Sequence, residues 1–103
     1  MARGRRENDT MMIAAMTFRL HAPWAHSLKE KRMIVKSLVA QMQNRFHVSA
    51  AEIGEQDAHQ LIVIGAAAVV PHSAMANRLM DEMTRFVETA TDAQLLEEHL
   101  EIR

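Results

Sequence analysis

At 103 residues the chain has room for one domain with one modest core, large enough to fold without covalent staples. Hydrophobic residues make up 49% and charged residues 24%, an ordinary globular balance, and the lack of cysteine excludes disulfide frameworks, thiolate metal sites and cysteine nucleophiles. The formal charge of −1 suggests indifference to polyanions, and no apolar run approaches the ~20 residues of a membrane span.

Residues 1–11 are polar, basic and without periodicity, and read as a disordered extension ahead of a single domain over 12–103. Arg3, Arg5 and Arg6 in that extension would otherwise serve as a nucleic-acid-binding arm. Met12–His21 alternates, with Met12, Ala14, Met16, Phe18 and Leu20 on one side, as in a strand with one buried face. Pro23 breaks the pattern, and Ser27 with Glu30 forms a capping box that opens a helix. Leu28, Val35, Leu38, Val39, Met42 and Phe46 fall within an arc of about 100°, predicting an amphipathic helix over Leu28–Phe46.

His47–Ile53 predicts a second strand, ended by Gly54 and the polar turn that follows. Leu61–Val70 is a continuous apolar run bounded by Pro71, as in a strand buried on both faces. A second helix begins near Ser73, with Ala76, Leu79, Met80, Met83, Val87 and Ala90 at helical spacing. Arg78 with Glu82, and Asp81 with Arg85, are spaced to pair across its polar side. Gln94–Arg103 predicts a last strand with Leu96, Leu100 and Ile102 on one side. The order β-α-β-β-α-β, with right-handed crossovers, predicts an α+β ferredoxin-like plait: a four-stranded antiparallel sheet with both helices on one face.

The charge of −1 conceals a split. Residues 1–50 carry nine Lys/Arg against three Asp/Glu, and residues 51–103 carry three against ten. Such asymmetry points to an anionic partner for the basic half. The alternative is a dipolar fold whose halves pair internally or with a second copy.

The sharpest local feature is Ser27-Leu28-Lys29-Glu30-Lys31-Arg32, continued by Lys36. Helix N-termini favour acidic side chains by about 0.3–1 kcal/mol each, yet this one begins with cations. Lys29, Arg32 and Lys36 stand at i, i+3, i+7 and form one stripe. Together with Lys31, Arg45 and the amides after Ser27 they make a candidate phosphate site. His26, directly ahead of the helix, adds positive charge there when protonated. Against this stands the plainer possibility of a solvated face whose lysines meet carboxylates of the acidic half. Trp24, the sole tryptophan, either stacks on an exposed base or packs over the end of the core, and packing is the expectation.

Six histidines invite a metal reading, but none forms an i,i+4 helical pair, so no metal site is expected. Nucleophile-elbow, P-loop and dinucleotide-binding glycine patterns do not occur, so neither catalysis nor a cofactor is expected. The open face of the first strand would show Ile13, Ala15, Thr17, Arg19 and His21, with no aromatic for base stacking on either central strand. An apolar face of small residues calls for a cover, so a homodimer through the open sheet face or an edge is expected.

Leu20-His21-Ala22-Pro23, Ala25-His26-Ser27-Leu28-Lys29-Glu30-Lys31-Arg32, Val35-Lys36-Ser37-Leu38, Asn44-Arg45-Phe46, Val48-Ser49, Ala51-Glu52, Gln56-Asp57, Ile64-Gly65 and the closing Glu101-Ile102-Arg103 resemble the YlxP-like family, a bacterial group of unknown function. The resemblance runs from about Met12 to Arg103. It implies a cytoplasmic ferredoxin-like domain of bacterial origin. Genes of that family often neighbour genes for translation initiation and ribosome maturation, which implies structured RNA or a ribosomal particle as partner. No established activity comes with the resemblance. The basic extension and Trp24 depart from the family pattern.

Overall fold

Alternation, helical periodicity and the turn residues between them give six elements: β1 (Met12–His21), α1 (Leu28–Phe46), β2 (Ser49–Gly54), β3 (Leu61–Val70), α2 (Ser73–Ala90) and β4 (Gln94–Ile102). The computed structural model describes residue 4 and residues 10–103. Arg3, Arg5 and Arg6, and with them most of the expected disordered extension, lie outside the described residues. The strands form one antiparallel sheet in the order β2-β3-β1-β4, the ferredoxin-like plait that the element order predicts. β1 and β3 are central and paired over ten residues, from Met12 with Val70 to His21 with Leu61.

Period-two alternation sends Ala14, Met16, Phe18 and Leu20 of β1 and Ile62, Ile64, Ala66 and Val70 of β3 to the helix side, where all are buried. Val35, Leu38 and Met42 of α1 and Ala76, Met80, Met83 and Val87 of α2 close that core from above. Phe86 joins them at 4% exposure, an aromatic the helical spacing did not single out. It meets Phe46 edge-on, with ring centroids 5.5 Å apart.

Several boundaries differ from the sequence expectation, each for a local reason. His47 is no strand residue: it takes a left-handed conformation (φ 55°) and its N–H donates to Gln43 O, ending α1 and delaying β2 to Ser49. β3 is buried on its helix side, but on the other side Val69 is 67% exposed, so this strand has one open flank. β4 carries a bulge: Leu95 pairs with Leu20 but Glu97 pairs with Arg19, leaving Leu96 unpaired. Leu96 is therefore exposed, and Leu95 packs against the core with Leu100 in its place. Ile102 is only partly covered, and Arg103 still exchanges both backbone hydrogen bonds with Ile13. The Arg78–Glu82 and Asp81–Arg85 pairs do not close. Among the described residues the ion pairs are Arg19–Glu55, Lys31–Glu52 and Arg103–Glu101.

Candidate functional site

The first turn of α1 is built as its sequence indicates. Ser27 is the N-cap in extended conformation, and its Oγ accepts from Glu30 N–H at 3.1 Å. Glu30 Oε2 reaches back to accept from His26 N–H at 2.8 Å, one residue ahead of the usual capping-box target. A cap of this kind contributes about 1 kcal/mol, which offsets the unfavourable placement of cations in the first turn. It also means that the helix end is partly satisfied by the chain itself. Ser27 is a structural cap here, and the cations stand beside it.

Lys29, Arg32 and Lys36 are all exposed and lie on one row of α1, about 10 Å long at 1.5 Å per residue. None of them makes an ion pair with a described residue. Beyond Glu30, no carboxylate occurs on α1. Gln43, seven residues after Lys36 and on the same row, donates to Ala50 O at 3.3 Å. That bond fixes the direction of the row: it runs along the β2 edge of the sheet. His26 is exposed just ahead of it.

Two of the expected phosphate contacts lie apart from this row. Lys31 is 1% exposed and points inward, three residues after Leu28 and four before Val35. Its ammonium donates to Glu55 O and, at 2.7 Å, to Ala58 O, and lies 3.0 Å from Glu52 Oε2. That carboxylate oxygen has the charge of Lys31 as its partner but no hydrogen-bond alignment to it. Lys31 thus ties α1 to the β2–β3 turn, where Glu55 holds a left-handed conformation (φ 55°), and it has no free face for a ligand. Arg45 lies about 20 Å along the helix from Arg32. Its guanidinium sits 5.7 Å from the Phe46 ring centre and 5.5 Å from that of Phe86, in the last turn of α1 where the helix dipole favours a cation. The exposed set that the structure brings together is Lys29, Arg32 and Lys36, with His26 alongside.

Trp24 is more open than a tryptophan packed over the core would be. It is 43% exposed, between Ala22 and Ala25, which are both fully buried.

The uncovered sheet face is lined by Ala15, Thr17, Ala51, Ile53, Gly65 and Ala67 and holds a shallow depression of about 310 Å³. Ile53 is the bulged residue of β2 and lies across Gly65, where any added Cβ would come within 3.0 Å of its side chain. One end of that face is flanked by Glu101 and Arg103, paired at 3.0 Å, and this hydrogen bond and charge hold the Glu101 carboxyl below the usual carboxylate range. Among the described residues no three His, Asp or Glu side chains are gathered as a metal would need. No helix among the described residues is long and apolar enough to cross a membrane.

Two comparisons bear on this arrangement. The model of a family described as protein of unknown function (DUF503) matches residues 13–100. The uncharacterized protein YlxP of Bacillus subtilis (strain 168) is 37% identical over 65 residues, which span 63% of this chain and 71% of that relative. The match to the family covers every element described above, from β1 through most of β4.

Proposed function

The chain belongs to the DUF503 family, and from that premise we propose that it is a binding protein whose α1 flank engages the phosphates of structured RNA, such as a ribosomal precursor displays. The observation that carries this reading is the row of Lys29, Arg32 and Lys36, exposed together and unpaired among the described residues, on a helix whose one carboxylate is committed to its own cap. Long, solvated cations of this kind position a nucleic-acid backbone without reading its sequence. The acidic remainder of the chain limits adhesion elsewhere on the surface, so affinity falls on this one flank.

The test is charge reversal. The triple variant K29E/R32E/K36E loses salt-sensitive binding to structured RNA or to purified ribosomal subunits in a mobility-shift or co-sedimentation assay, while R78E on α2 retains it. Unaltered binding by the triple variant refutes the reading.

A second reading, a dimeric interaction module with no nucleic-acid ligand, draws on the uncovered sheet face and its exposed Ile53 and Val69. Light scattering at low and high salt distinguishes the two. A dimer at both salt concentrations with no RNA affinity favours this second reading.

A further inference from the structure

If the α1 flank holds phosphates, a nucleotide between them needs a flat side chain for its base. Of the four aromatic side chains, Phe18 is fully buried, Phe86 is 4% exposed, and Phe46 is partly buried against it under Arg45. Trp24 alone stands in solvent, 43% exposed. The central strands, where many plait proteins carry stacking aromatics, present Ala15, Thr17, Gly65 and Ala67. No phenylalanine, tyrosine or tryptophan stands there.

The turn that carries Trp24 is anchored at both ends. Ala22 N–H donates to Gln60 O at 2.8 Å, Ala25 N–H closes the turn on Ala22 O at 3.0 Å, and Gln60 Nε2 donates to Pro23 O at 3.1 Å. Pro23 fixes its own φ. The flanking alanines sit in the core, so Trp24 is the outward tip of a held turn, with little backbone freedom left to lose on binding. Leaving 43% of so large a residue exposed forgoes burial that a small polar residue would never have offered. Five residues further on is Lys29, the first cation of the row.

Resting on the phosphate-binding reading, we infer that Trp24 is a stacking platform for an unpaired nucleotide, whose flanking phosphates are held by Lys29 and Arg32. The ligand is then RNA with a bulged, looped or single-stranded base at the contact, not a fully paired duplex. Sequence preference is weak, because every base has a face to stack.

Three probes test this by labelled-ligand anisotropy and by the emission of the sole tryptophan: a ten-nucleotide single-stranded RNA, a fully paired RNA duplex of equal length, and inorganic polyphosphate. Single-stranded RNA quenches Trp24 and binds more tightly than the duplex. Trp24→Leu weakens single-strand binding about fivefold to a hundredfold and leaves polyphosphate binding unchanged. Trp24→Phe, which keeps a ring, retains part of the affinity. If Trp24→Leu binds single strands as the wild type does while K29E/R32E/K36E does not, stacking is refuted and phosphate binding stands. If none of the three probes binds in a salt-sensitive way, both fall. A blue shift of the emission with rising protein concentration and no nucleic acid places Trp24 in a protein contact instead and overturns the inference.

Discussion

Removing an ammonium from water costs several kcal/mol, and Lys31 offsets that cost with two carbonyl oxygens and the Glu52 carboxylate. Lys31→Ala leaves Glu52 without a counter-charge and frees the turn around Glu55, so we expect a loss of about 3 kcal/mol or more in urea denaturation. Lys29→Ala, on the exposed flank, changes stability by no more than about 0.5 kcal/mol. Equal effects of the two would contradict this division of roles. The division was legible in the chain: position 31 falls on the same helical face as Leu28, Val35 and Leu38. Charge run alone, read without helical azimuth, groups Lys31 with the surface cations. Its acceptors were not legible, because the carbonyls of Glu55 and Ala58 come from a turn more than twenty residues away. Glu101 gives a residue-scale test in pH. Its carboxyl is lowered by the hydrogen bond and charge of Arg103, so the small stabilisation is present above the unfolded-state value and is lost as pH falls through the folded one. Arg103→Ala returns the Glu101 titration, followed by NMR, upward to the ordinary carboxylate range.

Strand ends and bulges, rather than the strands themselves, are where pattern and structure diverge. β1 and α1 have the expected limits because each is long and carries a recurring apolar face. β4 has no such guide: with a leucine at both 95 and 96, alternation alone does not say which turns inward. Pairing with β1 settles it through the bulge, which puts Leu95 opposite Leu20. The bulge of β2 likewise depends on a partner, since Ile53 lies across the open face only where β3 supplies a residue without a side chain. Gly65→Val forces Ile53 aside, and because Ile53 is exposed and can give way the cost is about 1 kcal/mol or less. Adding Ile53→Ala restores part of that loss, and a double-mutant cycle reads the coupling. Strict additivity would mean that the two residues do not meet.

Across the whole molecule the charge split acquires a geometry. α1 packs chiefly over β2, and α2 over β4, at opposite edges of the sheet. The cationic row of Lys29, Arg32 and Lys36 thus runs along one edge, and β4, with Glu97, Glu98 and Glu101, forms the other. The sequence halves showed that the charges were separated. They did not show that Lys31 is buried within the fold, or that Arg45, though exposed, sits over Phe46 and Phe86 at the far end of the helix.

The row of three gives the most direct measurement of the central claim, the salt dependence of RNA binding. Three phosphate contacts on a single-stranded RNA give a slope of log K against log salt of about −2, or a roughly twentyfold loss between 50 and 200 mM. Five contacts, with Lys31 and Arg45 included, would give about −3.5. A slope near −2 that flattens in K29E/R32E/K36E is the expected result; a flat response in the wild type contradicts phosphate binding by this helix.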